Sequence, residues 1–239
     1  MAVRRMLGIG ELTYLPAILR RRPLTRGDRR GMAIIHNTTM NPGKLDLLAV
    51  WLPAQPWYRQ TGQEPELARA GGFRLDDPQG EVGIEFMVVT DGSGDRATAY
   101  QIPMTYRAGA LAGADGALIG TSEHGVLGLR WIYDGVHDPV LRAQLVALIQ
   151  GDAEPQAQSV SNTADPTVLA QPVAKGPLTP AWSEGAANGP SGTDLRAGEL
   201  SLRINRVLEP GDSLSEAGLS APWRLPDGTR VRGVFATAR

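Results

Sequence analysis

Apolar positions along this chain alternate over several short stretches and take helical spacing in two. Val82, Ile84, Phe86 and Val88 alternate, which predicts a strand with one apolar face. Met87 and Val89 partly fill the other face, so burial on both sides is expected. Asp91-Gly92-Ser93-Gly94-Asp95 supplies hairpin-turn residues, and 97–106 is the expected return strand. Pro103 within it marks an edge position or a bulge. Residues 117–121 and 126–133 predict a second hairpin around Glu123-His124-Gly125. Between the first helix and these strands, 59–72 reads as a loop, 73–75 as a short strand and 76–80 as a turn.

Two segments carry helical spacing. Asn41-Pro42 reads as an N-cap followed by a first helical residue, and Leu45, Leu48 and Leu52 then share a face, with Leu47 and Trp51 beside it. Pro53 ends this helix, and Gln55-Pro56-Trp57-Tyr58 is expected to be an extended corner. Asp138-Pro139 opens the second by the same logic. Val140, Leu141, Leu145, Leu148 and Ile149 form its stripe, and Gly151 stops it.

Periodicity is lost over 152–194, where Ala, Pro, Ser, Gly, Thr and Gln dominate. This stretch reads as a connector with one ordered piece around 167–169. Alternation returns at Leu200, Leu202 and Ile204, and 221–225 and 230–235 predict a last hairpin around 226–229. The expected fold class is α+β: a curled antiparallel sheet packed on one or two helices, with further C-terminal antiparallel strands. The expected organisation is a basic extension over 1–31, an α+β domain over 32–151, the connector over 152–194, and strands over 195–239 that extend the same sheet or form a small unit of their own.

Composition narrows the class. The chain has 239 residues, 42% of them hydrophobic and 21% charged, as in soluble globular proteins. It has no cysteine, which excludes disulfides, thiolate metal sites and a thiol nucleophile, and fits a cytoplasmic location. No run approaches the length of a membrane span. The net charge of −1 gives no overall attraction to nucleic acid. Eight arginines fall within the first thirty residues, and from Met32 onward the balance is about −7. Three readings compete for that basic stretch: a membrane-surface or nucleic-acid arm, a signal peptide interrupted by Pro16, or an extension ahead of a start at Met32. The last is favoured.

Trp51-Leu52-Pro53-Ala54-Gln55-Pro56-Trp57-Tyr58, followed by the first hairpin, then by Leu129-Arg130-Trp131-Ile132-Tyr133-Asp134 and an apolar helix, resembles the N-terminal cap of actinobacterial maltokinases. That cap begins near a Leu-Pro-x-Gln-Arg-Trp-[Phe/Tyr] segment; here Pro56 replaces the arginine. The resemblance covers about 45–151. It implies a cystatin-like sheet curled around a helix, and a place near α-glucan, maltose or trehalose metabolism. A sugar kinase or glucan-metabolising enzyme is the implied partner.

The residues add little catalytic chemistry. The phosphate-cradling Gly-x-x-x-x-Gly-Lys-[Ser/Thr] pattern is absent, as are a His-x-Asp catalytic loop and an Asp-Phe-Gly metal motif. No catalytic residue, cofactor or metal site is therefore expected, and the reading is a cap-like protein without kinase lobes. A split phosphotransferase completed by another chain stays open as a further alternative. His36, His124 and His137 lack ligand spacing and read as separate turn histidines. Ser122-Glu123-His124 lacks a nucleophile elbow. Asp76 and Asp77 read as turn formers and Glu85 as a solvated strand residue rather than a paired-carboxylate site. Stacking aromatics beside amides and acids suit a carbohydrate ligand, so Gln55, Trp57, Tyr58, Tyr133 and Asp134 are the candidate ligand- or partner-binding residues. The alternative has Trp51 and Trp131 in the core and Trp57 and Tyr58 bracing the corner.

Overall fold

In a computed structural model the described residues are 40–160, 162–173, 182, 185–211 and 214–239. The basic extension, the Met32 start, His36 and part of the connector lie outside them. The strands are β1 (Met40–Asn41), β2 (Leu67–Leu75), β3 (Gly83–Asp91), β4 (Thr98–Arg107), β5 (Leu118–His124), β6 (Gly128–Asp134) and β7 (Gln156–Ala157). They continue with β8 (Leu169–Gln171), β9 (Ala187–Asn188), β10 (Gly192–Ala197), β11 (Leu200–Asn205), β12 (Val207–Leu208), β13 (Gly218–Arg224) and β14 (Arg230–Ala238). Among the described residues, two short helices, α1 (Lys44–Trp51) and α2 (Pro139–Gln150), accompany the strands in an α+β fold. Neither is long enough to cross a membrane.

Among the described residues every strand pairing is antiparallel, in the order β1-β5-β6-β4-β3-β2-β13-β14-β11-β10-β9. Further pairings lie off this path. Beyond β11 the chain passes through Arg206 into β12, which pairs with β4 as Val207↔Tyr100 and Leu208↔Ala99. The C-terminal strands therefore share one sheet with the first hairpins, joined at β2–β13 on one side and β4–β12 on the other.

Burial on both faces of β3 is borne out. Ile84, Phe86 and Val88 enter a large core with Phe73, Trp223, Phe235 and the α2 stripe Leu141, Leu145, Leu148 and Ile149. Met87 and Val89 enter a second core with Leu48, Leu52, Trp57, Tyr100 and Ile102. Each fully buried Leu, Ile or Phe contributes about 1.5–3 kcal/mol. Phe73 and Phe86 stack across β2–β3 at 4.6 Å and 7°.

Helix α2 forms as its sequence directs. Asp138 caps it by accepting from the Val140 amide at 2.9 Å, Pro139 takes the first position, and Gly151 closes it in the left-handed region at φ 83°. Helix α1 starts later than expected. Asn41 is drawn into β1 against β5, and the cap falls to Gly43, whose amide donates to Asp46 Oδ2 at 2.9 Å. The corner that follows is a turn rather than extended. Gln55 is extended, as a residue before proline should be, but the Tyr58 amide then closes onto the Gln55 carbonyl at 3.0 Å. Strand β2 begins at Leu67, where the sequence reads as loop, because two glycines and a bulge near Arg69 hide its alternation.

Pro103 occupies neither an edge strand nor a bulge in the β3–β4 ladder. It lies where the free edge of β4 changes partner, between the β12 pairs at 99–100 and the β6 pairs at 104–107. The Gln101 amide, two residues earlier, points to that edge and donates to Arg206 O at 2.9 Å. The donor that proline lacks would thus face the seam and not a ladder partner.

Candidate functional site

The five residues singled out from the sequence do not form a stacking platform. Trp57 is 1% exposed, Tyr58 7%, Tyr133 1% and Asp134 2%. Neither ring of the Trp57-Tyr58 corner offers a face to solvent, while Trp51 and Trp131, expected as core, are only half-buried. Gln55 turns back to donate to the Trp51 carbonyl at 3.1 Å. The Tyr58 hydroxyl donates to Asp91 at 2.6 Å; burial, then this bond, push its pKa well above the ordinary tyrosine range. The Tyr133 hydroxyl accepts the Leu111 amide at 2.9 Å in a separate small cluster.

Trp57 and Asp134 do meet, through a residue outside the candidate set. Arg206 is fully buried; one guanidinium nitrogen reaches both Asp134 oxygens at 2.6 and 2.8 Å, and Nε donates to Thr193 at 2.8 Å. The guanidinium lies 5.1 Å from the Trp57 ring. Asp134 ends β6 and Arg206 separates β11 from β12, so this pair bridges the seam where β4 passes from one partner to the next. The sequence carries a signal for it. Leu200, Leu202, Ile204, Arg206 and Leu208 share one parity, and an arginine at an inward position of such a run must find a buried anion.

Glu85 is a correction. It is 3% exposed, not solvated. Its parity is that of Met87 and Val89, so the second apolar face of β3 carries it inward. Lys44 lies 2.5 Å away, the Tyr106 hydroxyl donates at 2.5 Å and Gln158 at 2.8 Å. Burial raises the carboxyl's pKa, but Lys44, Tyr106 and Gln158 together outweigh it and hold it below the usual range. A depressed pKa stabilises the fold above the unfolded-state value and loses that contribution as pH falls through the folded one. Stability should therefore drop as pH falls below about 4, and Glu85→Gln should flatten that part of the urea-midpoint profile. An unchanged profile in the variant would remove this role.

Asp77 is a turn former as expected, accepting the amides of Gln79, Glu81 and Val82 at 3.0–3.1 Å. His124 Nδ1 accepts the Leu127 amide at 3.2 Å in the β5–β6 turn. His137 sits in the turn before α2, where burial pushes its pKa down. Among the described residues no group of His, Asp or Glu is arranged to hold a metal ion. The carboxylates placed deepest, Glu85, Asp134 and Asp138, are each engaged by a Lys or Arg of the fold. They are spent on structure and are poorly placed to meet a substrate.

The surface offers a different feature. Val126, Leu127 and Leu129, at the β5–β6 turn, are 60%, 45% and 39% exposed. They gather three large apolar side chains within four residues at one end of a hairpin. Among the described residues, the outer margin of β5 is paired only at Glu123 and His124, by β1. The turn itself is braced: Arg130 donates to the Leu127 carbonyl at 2.6 Å. No curated protein matches the chain. Residues 51–138, from the end of α1 to the residue that caps α2, match the family model of the maltokinase N-terminal cap domain, and this segment is similar to that cap.

Proposed function

We propose that this protein is a non-catalytic, cap-like protein that docks on or modulates a sugar kinase or a related enzyme of α-glucan, maltose or trehalose metabolism. The observation that carries the reading is the exposed apolar turn Val126-Leu127-Gly128-Leu129 within the cap-like segment. The chain's phosphotransfer motifs are missing, and its buried acids are occupied by internal partners. What remains available is surface, and apolar side chains on a braced hairpin gain most by leaving water against a partner.

Mixed with a purified maltokinase-type enzyme from the same organism, the protein should co-elute with it and change its turnover. Leu127→Asp should weaken the complex by about tenfold or more, as loss of one central apolar contact does. The same variant should melt with the parent, because its side chain is 45% exposed. Absence of both a complex and a change in turnover contradicts the proposal.

A further inference from the structure

We propose that the outer face of the β13–β14 hairpin is a binding site for a small phosphate-bearing ligand, separate from the docking turn. Leu219, Ala221, Trp223 and Phe235 point into the large core, so the alternate positions Ser220, Pro222, Arg224, Arg230 and Arg232 lie on the opposite face. Arg224 and Arg230 are directly paired in register, and Arg232 is paired with Pro222 one step along. Like charges set opposite each other on one face of a sheet are destabilising unless an anion relieves them.

Among the described residues none of these three arginines forms an ion pair, whereas Arg59, Arg107, Arg203, Arg206 and Arg239 all do. Arg232 is aimed by neutral groups: it donates to the Thr167 carbonyl at 2.6 Å and to the Ser220 carbonyl and hydroxyl at 3.2 Å. Its orientation is set by these bonds, and no carboxylate among the described residues pairs with it. Arg230 and Arg232 line a cleft of about 570 Å³ with Thr167, Pro210, Gly211 and Pro222. That volume is in the range of small-molecule sites. The chain as a whole carries a net charge of −1, so a basic face is not a by-product of composition. Guanidinium groups paired in register, with no carboxylate partner among the described residues, suit the planar, multidentate recognition of a phosphate.

Calorimetric titration of the full chain with inorganic pyrophosphate, at constant ionic strength, tests this. Saturable binding is expected. Arg230→Gln should weaken it about tenfold or more, as loss of one charged hydrogen-bonding group does. Arg230 is exposed and its removal relieves the repulsion from Arg224, so this change should leave the melting temperature of the ligand-free protein no lower than the parent's, and slightly higher if anything. Arg196→Gln, at an exposed arginine on β10, should bind as the parent does. The docking variant Leu127→Asp should also bind pyrophosphate normally, which keeps this inference separate from the proposed function. Absence of saturable binding, or binding that Arg230→Gln leaves intact, overturns it.

Discussion

Arg206→Met should lower the unfolding free energy by about 3–5 kcal/mol, the usual cost of removing one partner from a buried ion pair. The change leaves Asp134, 2% exposed, without its counter-charge, and leaves the Thr193 hydroxyl without the Nε donor. It also removes the cation from the Trp57 ring. The pair spans a sequence separation of 72 residues and ties β6, inside the cap-like segment, to the C-terminal strands outside it. The loss should therefore appear as a lower urea midpoint with a single transition, because the strands on both sides of the pair belong to one sheet. Asp134→Asn with Arg206→Met should recover part of the loss, since a neutral amide costs less than an unpaired carboxylate. A single variant within 1 kcal/mol of the parent would show that the seam is held by something else.

Gly72→Ala should cost about 3 kcal/mol or more, through two effects at one position. Its φ of 130° is one that side-chain-bearing residues rarely adopt. A Cβ built there would stand 2.1 Å from the Phe86 carbonyl oxygen and 3.1 Å from Met87 Cα, both on the backbone of the central strand. Neither can move without disturbing β3, which carries both cores. The Phe73–Phe86 stack lies beside it, so near-ultraviolet circular dichroism should change together with the melting temperature. By contrast Gly80→Ala, at a positive φ with open space around it, should cost only about 1 kcal/mol. Equal effects at the two positions would show that backbone conformation alone, and not contact with β3, governs Gly72.

The legible parts of this fold are those where local rules and burial agree. Helix α2 has its cap, its first proline, its stripe and its terminal glycine in sequence, and all act as read. The β3–β4 and β5–β6 hairpins follow from alternation and turn residues. Strand β2 was hidden because Gly71 and Gly72 carry no side chain to alternate and the bulge breaks the period. Asn41 would serve as a cap in isolation, but pairing with β5 claims its backbone first. Among the described residues of the connector, the strands ahead of β10 are β7, β8 and β9, each two or three residues long and too short to leave a period.

The candidate site was less legible, for a physical reason. Trp57, Tyr58 and Asp134 are the residue types that bind sugars, but they are equally the types that fill a seam when an arginine supplies the opposite charge. Only the long-range meeting with Arg206 decides between the two. Glu85 is buried, against the expectation of a solvated residue, because it shares the parity of Met87 and Val89 on the second apolar face of β3. The exposed turn Val126-Leu127-Gly128-Leu129 was present in the sequence as part of a strand, and nothing local marked it as uncovered.

Amide hydrogen exchange across the chain, with and without a purified maltokinase-type enzyme, tests the proposed docking most directly. Slowed exchange is expected at the β5–β6 turn and the adjoining margin of β5, around residues 118–129, with the rest of the sheet unchanged. Protection confined to another face, or exchange that the enzyme does not alter at all, would contradict it.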